Sequence, residues 1–265
     1  MATNEKIAII GGGRLGSTLA VALSKKYSVV VSDPNSEQLF ALSKKGKNIS
    51  TTLVNQEAAD ASSAIVILAV KPTAIVSTID SMKSALAGKL LVSCAAGTPI
   101  KKIEGIGAPR VIRVMPNICA EVGQGMFAYA LGSGATIEDE ERFLMVFSQL
   151  GKCLRVEEKD LNAITAASGS GPAFFAFFAK AIYEAAKEAG LSDDVATITV
   201  AQTLLGTGEL LLYSKSFDDV IKTVASPGGT TEAGLKMLES RGVTAAIKEA
   251  VKNAIEKAKE LEEKS

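Results

Sequence analysis

The sequence predicts an α/β fold: an N-terminal Rossmann-like, doubly wound, mostly parallel sheet, followed by an all-helical C-terminal dimerisation domain. Three observations predict it. Short, nearly all-apolar runs alternate with helical stretches through the first half, as strands buried on both faces of a parallel sheet require. A GxGxxG turn stands between the first such run and the first helical stretch. After about Glu158 no convincing strand pattern remains. The expected division is therefore 1–158 for dinucleotide binding and 159–265 for substrate and dimerisation.

Each element has its reason. KIAII (Lys6–Ile10), SVVVS (Ser28–Ser32), AIVILA (64–69) and LLVS (Leu90–Ser93) are the first four apolar runs. Stretches 15–25 and 36–45 carry helical patterns between them, giving the βαβ rhythm of right-handed crossovers. Segments 110–115, 126–130 and 153–156 extend the sheet, with a helix over 138–150 between the last two. In the second half, 172–187 spreads four phenylalanines round a helix, and 195–213 is apolar on most faces. A helix apolar all round must be buried all round. About 100 residues cover two such helices poorly, so the expected cover is a second subunit; a self-contained bundle is the other reading. Segment 243–264 is a charged, amphipathic helix that reads as a solvated face.

Composition excludes several classes. The 29 basic and 29 acidic residues cancel, which argues against a nucleic-acid binder. No 18-residue uncharged apolar window predicts a membrane-spanning helix. Residues 1–6 run straight into a strand pattern and leave no room for a signal peptide, so the expected location is cytoplasmic. Cys94, Cys119 and Cys153 are widely spaced and suggest neither disulfides nor a metal site. The chain contains no histidine. Proton chemistry must therefore use a carboxylate, hydroxyl, lysine, water or the substrate itself.

The nucleotide motif is GGGRLG. Gly11 allows the tight turn, Gly13 lets a pyrophosphate approach the backbone, and Gly16 lets the helix pack on the strand; Arg14 and Leu15 complete the loop, with Arg14 able to reach a phosphate. The second strand ends in Ser32 and Asp33. An acid there binds the adenine ribose hydroxyls and favours NAD. Ser32, Asn35 and Ser36 could instead donate to a 2′-phosphate, and Asp33 could cap the next helix. NADH and NADPH both stay open. Ala69, Val70, Lys71 and Pro72 end the third apolar run where ligands bind in such sheets; an ordinary strand exit is the alternative. Cys94, Ala95 and Ala96 are small enough to leave space for a flat ring, and Cys94 has no histidine to activate it. Asn117, after Pro116, is a nicotinamide contact or a turn residue.

The segment SPGGTTE offers two readings. One is an anion-holding loop: Ser226, Gly228, Gly229 and Thr230 grip a small carboxylate with backbone N–H groups at a helix start. The other is a tight turn plus a cap. Segment 168–173 (SGSGPA) reads as a flexible break before the Phe-rich helix.

In order along the chain, GGGRLG, LAVKP, VSCAAG, PRVIRVMPN, SGSGPAF and SPGGTTEAGL resemble the pyrroline-5-carboxylate reductase family, and the last two are the specific pieces. The resemblance implies hydride transfer from NADPH or NADH to the imine carbon of 1-pyrroline-5-carboxylate, giving L-proline. It implies a homodimer through the C-terminal helices, often built into larger rings. It places Thr231 on the ring nitrogen as the catalytic contact, with backbone donors at Gly229 and Thr230 on the carboxylate. It places Glu158 in the substrate pocket and Asn55 near the adenine ribose. Relatives preferring NADPH often carry a small hydroxyl residue where Asp33 stands. The missing histidine fits, because a protonated imine is already an electrophile. Three rivals compete. A β-hydroxyacid dehydrogenase would need a lysine where Phe175 stands. A deazaflavin-linked NADP reductase would not need SPGGTTEAGL. A non-catalytic dinucleotide-sensing dimer would bind cofactor without turnover.

Overall fold

A computed structural model describes residues 5–264; the reading of residues 1–4 as leaving no room for a leader lies outside the described residues. The described chain forms one eight-stranded sheet and a set of helices. The first half runs β1 (Lys6–Ile10), α1 (Arg14–Leu23), β2 (Ser28–Ser32), α2 (Ser36–Ser43), β3 (Ile49–Thr52), α3 (Asn55–Ala61), β4 (Ile65–Leu68), α4 (Ile75–Asp80), β5 (Leu90–Ser93), α5 (Ile100–Ile106) and β6 (Val111–Pro116). Then come β7 (Gly125–Leu131), α6 (Ile137–Phe147), β8 (Gly151–Arg155) and the short α7 (Leu161–Ile164).

The strand order is β3-β2-β1-β4-β5-β6-β7-β8. All neighbours are parallel except β6 and β7. The first six strands thus follow the dinucleotide-binding order, whose direction reverses between β1 and β4. Successive residues of each central strand feed opposite faces. Ile7 and Ile9 join one buried cluster with Leu19, Leu23 and Val31; Ala8 and Ile10 join the other with Val66, Leu68 and Ile103. Burial on both sides explains why these strands read as unbroken apolar runs.

At the β8 end, Phe143 stacks on Phe147 at 4.5 Å, and Phe127 meets Phe147 edge-on at 5.3 Å. The start of α6 is held by a capping box between Thr136 and Asp139. Asp139 is also gripped by the Arg110 guanidinium through both oxygens, with Nε to Oδ2 at 2.8 Å. Burial alone raises the Asp139 carboxyl, but the Arg110 fork and Thr136 outweigh it and hold it below the usual carboxylate range. A depressed folded-state value adds stability above the unfolded value of about 3.9, and that stability is lost as pH falls through the folded value. We expect Asp139→Asn to cost about 3 kcal/mol at neutral pH, because it leaves Arg110 without its anion. The gap to the parent should narrow below about pH 4. Denaturant melts across pH check both points, and a gap constant down to pH 2 would refute the linkage.

The second half holds α8 (Gly171–Glu188), α9 (Asp193–Ser214), α10 (Phe217–Val224), α11 (Thr230–Ser240) and α12 (Val243–Glu263). Two compact units result: one reaches Ser170 and resumes at Ala254, and the other spans Gly171–Asn253. The units thus divide twelve residues beyond the expected 158/159 boundary. Leu161 and Ala166, both buried, keep that stretch on the first unit. One expectation near this point is corrected. Segment 168–173 is no flexible break, because Thr165–Gly169 is a π-helical turn that runs nearly into α8, closed by Ser170 N–H to Thr165 O at 2.8 Å. Helix α9 is long and apolar enough to cross a membrane by length and composition, although Glu209 interrupts its uncharged run. Its only buried residue is Ala196. Together α8 and α9 leave Phe174, Phe175, Phe177, Phe178, Ile198 and Leu212 exposed, an apolar surface beyond what an isolated soluble monomer carries.

Candidate active site

The nucleotide end is built by the turn from β1 to α1. Gly11 has φ +103°, and a Cβ there would lie 2.6 Å from Ala69 O on neighbouring β4. A Cβ on Gly16 would lie 1.9 Å from Gly11 O. By contrast, a Cβ on Gly13 would meet nothing within 4 Å. Open space therefore lies over Gly13, at the start of α1. Gly13 caps the helix without a side-chain bond, and the backbone N–H groups of Gly13 to Gly16 make no hydrogen bond among the described residues. Orphan donors at a helix N-terminus facing open space fit a pyrophosphate.

Asp33 stands at the end of β2, beside this turn. Gly12 N–H donates to its Oδ2 at 2.7 Å, and Asn35 N–H to its Oδ1 at 2.8 Å. The cap of α2 is Asn35, whose Oδ1 accepts from Gln38 N–H, so the capping alternative for Asp33 falls away. Each Asp33 oxygen keeps a further lone pair for a ribose hydroxyl. No lysine or arginine pairs with it among the described residues. Arg14 is exposed and lines a groove with Lys25, Gln38 and Lys45.

Asn55 and Ser32 form a chain of bonds. Ser32 Oγ donates to Asn55 Oδ1 at 2.9 Å, and Asn55 Nδ2 donates to Ser81 Oγ at 3.0 Å. Ser32 is fully buried. This ties β2, α3 and α4 together, so Ser32 and Asn55 shape the ribose end from behind. Ser81, Gln38 and Ser17 were not foreseen; Gln38 Nε2 and Ser17 Oγ both donate to Gly12 O at 2.5 Å.

At the exit of β4, Ala69, Val70 and Pro72 are half-buried and Lys71 is exposed. Beyond β5, Cys94 and Ala95 are buried and Ala96 is half-buried. Burial pushes the Cys94 thiol up to about 12, which makes it a small apolar filler rather than a nucleophile. Asn117 is bonded at both ends: Nδ2 donates to Ser168 O and Oγ, and Oδ1 accepts from Met126 N–H at 3.1 Å. Glu158 lines an open depression of about 790 Å³ with Ile100, Lys101, Glu104, Ser133 and Arg155. Its Oε1 accepts from Arg113 Nη1 at 2.8 Å and from Ile100 N–H at 2.7 Å.

In the second unit, residues 226–229 form a turn that opens α11. Gly228 has φ +73°, a conformation that L side chains rarely adopt. The expectation that the two glycines offer free N–H groups is corrected. Gly229 N–H donates to Ser226 O at 3.0 Å, and Gly228 N–H to Glu232 Oε2 at 2.9 Å. The Gly228 N–H bond, and after it the Lys236 ammonium, hold the Glu232 carboxyl below its usual range. Among the described residues, the backbone donors left open here are those of Thr230, Thr231 and Glu232 at the helix start. Thr231 is half-buried and its hydroxyl makes no hydrogen bond among the described residues.

Sheet order, glycine turn and acid at β2 define a pyridine-nucleotide oxidoreductase with a helical second half. Residues 158–261 match the family described as pyrroline-5-carboxylate reductase dimerisation, and residues 6–97 match NADP oxidoreductase coenzyme F420-dependent. A pyrroline-5-carboxylate reductase of Methanosarcina acetivorans is 35% identical, over 98% of this chain and 99% of that protein. One from Arabidopsis thaliana is 34% identical over 98% and 96%. The crystal structure of Plasmodium falciparum pyrroline carboxylate reductase with NADP bound superposes with a TM-score of 0.87 at 29% identity, covering 99% of this chain and 100% of that one. The chain belongs to the pyrroline-5-carboxylate reductase family.

Proposed function

We infer that this protein is a pyrroline-5-carboxylate reductase of proline biosynthesis, taking 1-pyrroline-5-carboxylate to L-proline with NADPH or NADH. The observation that carries this reading is likeness over the whole chain. Relatives of that name match over 98% of this chain, through both the glycine turn and the SPGGTT corner's part of the sequence.

Hydride for the imine carbon is the chemistry a reduced nicotinamide supplies when bound. As hydride adds to the carbon of the protonated imine, the C=N π pair becomes the lone pair of nitrogen, which keeps its proton and stays in the ring as the secondary amine of proline. The protein's part is to hold and orient. Gly13 to Gly16 carry the pyrophosphate on their backbone donors. Asp33 takes the ribose hydroxyls, and its charge favours NADH over NADPH. Cys94, Ala95 and Ala96 leave room for the flat ring. In the second unit the N–H groups of Thr230 and Thr231 hold the substrate carboxylate, with Ser226 beside them. Thr231 Oγ1 bonds the ring nitrogen. No side chain need act as a strong acid, since the iminium form is already electrophilic; orientation at near-attack distance supplies the rate.

The exposed apolar faces of α8 and α9 are covered by the same faces of a second copy, which makes the protein a soluble cytoplasmic homodimer rather than a membrane protein. A larger ring of such dimers would show as a higher mass in light scattering.

One assay tests the activity: oxidation of NADH and of NADPH, each with synthetic pyrroline carboxylate, with L-proline as product. Cofactor binding without turnover would support a sensor instead. Turnover that needs a reduced deazaflavin would support the F420-linked reading.

A further inference from the structure

Arg113 sits in the middle of β6, among apolar neighbours, and is 1% exposed. It pairs in register with Ser93 of β5 and Ala130 of β7. A buried guanidinium needs anions, and this one has two. Its Nη1 donates to Glu158 Oε1 at 2.8 Å and to Glu262 Oε1 at 2.9 Å. Glu262 lies in the last turn of α12, 149 residues away. Its other oxygen accepts from Asn162 Nδ2 at 2.6 Å. The end of the last helix, itself part of the first unit, is thus clamped within it. It also touches the backbone that closes the Cys94–Ala96 stretch: a Cβ on Gly97 would lie 3.0 Å from Glu262 N and from Leu261 C. Gly97 has φ +73°. Glu158, the second anion of Arg113, fixes the other end of the same loop through Ile100 N–H. One buried cation therefore holds two carboxylates, one bonded to Ile100 at the end of residues 97–100 and one on the helix turn packed against Gly97 at their start.

We propose that Glu262 is a positioning residue for the nicotinamide end of the cofactor site. Acting through Arg113 and its contact with Gly97, the last turn of α12 holds the Cys94–Thr98 loop in the shape that receives the ring. This rests on the reading of Cys94–Ala96 as a cofactor loop. It assigns a role to the far C-terminus, which touches no reacting atom.

The test uses the full chain and three variants. Glu262→Ala should raise the NADH KM, and the Kd from fluorescence titration, by about tenfold, as for a loosened supporting shell. It should leave kcat at saturating NADH within about twofold and the pyrroline carboxylate KM unchanged, the pattern of lost uniform cofactor binding. A merely structural role would lower the melting temperature without that split. Glu262→Gln keeps the size and an acceptor for Arg113, should show a smaller effect in the same direction, and decides the matter if Glu262→Ala fails to fold. Ala96→Leu, within the loop, tests the underlying reading. If Ala96→Leu weakens NADH binding while both Glu262 variants bind it as the parent does, the positioning role is refuted and the loop reading stands. If Ala96→Leu binds NADH normally, the loop reading falls and the proposal falls with it.

Discussion

Thr231→Ala should lower kcat/KM for pyrroline carboxylate by about 10²-fold, on the order of a lost acid/base or orienting contact. That loss corresponds to about 2.7 kcal/mol of transition-state stabilisation. The reasoning starts from the corner that opens α11. Its two glycine N–H groups are spent inside the turn, one on Ser226 O and one on the Glu232 carboxylate. Those internal bonds set the turn, which leaves Thr231 free of structural duty. Its hydroxyl bonds nothing within the described chain, and the helix start is capped by Gly229 without a side chain. Removing the hydroxyl should therefore leave the melting temperature almost unchanged while lowering the rate. Thr231→Ser, which keeps the hydroxyl, should recover most of the activity; Thr231→Val, which keeps the shape, should not. The NADH KM should stay put in all three. A Thr231→Ala enzyme with full kcat/KM would remove Thr231 from the chemistry.

The sequence made the sheet legible because its strands are buried on both faces. KIAII, SVVVS and LLVS match β1, β2 and β5 end to end. It hid β3, whose ISTT is short, half polar and at the sheet edge. It also hid α3, where NQEAADA lacks an apolar stripe. At the site, residue types were readable but their bonds were not. That Asn35 caps α2, and that Asp33 turns both oxygens to backbone N–H groups, depends on backbone angles no spacing encodes. So does the commitment of the Gly228 and Gly229 donors. The clamp was hidden for a different reason. An arginine inside the apolar run RVIRVMPN is visible, but its partners lie in a 3₁₀ turn and in a helix that reads as solvated. Most of α12 is exposed as expected; its last two turns, with Ala258 buried and Glu262 paired, are anchored instead.

Asp33→Ser should swing the ratio of kcat/KM for NADPH over NADH upward by about tenfold to hundredfold, since hydrogen bonds to a charged group contribute about 1.5–3 kcal/mol and about 1.4 kcal/mol is a factor of ten. Two effects add. The carboxylate is already aimed by Gly12 and Asn35 N–H groups, so accepting from the ribose hydroxyls costs it little reordering; serine gives up the charge that strengthens those bonds. A 2′-phosphate would set about two further negative charges beside Asp33, and the first turn of α2 that follows carries another acid, Glu37. Like charges that close disfavour NADPH, and serine removes one of them while offering a donor. Asp33→Asn separates the two contributions. It keeps the shape and abolishes the charge, so it should relieve the NADPH penalty and weaken NADH only in part. Because Asp33 also organises Gly12, both variants should lose some affinity for either nucleotide, and the ratio rather than the absolute rate is the informative quantity. An unchanged ratio in Asp33→Ser would mean that the 2′ position is read elsewhere. Arg14 would then be the next residue to replace, because it is exposed at the start of α1 with no carboxylate paired to it among the described residues.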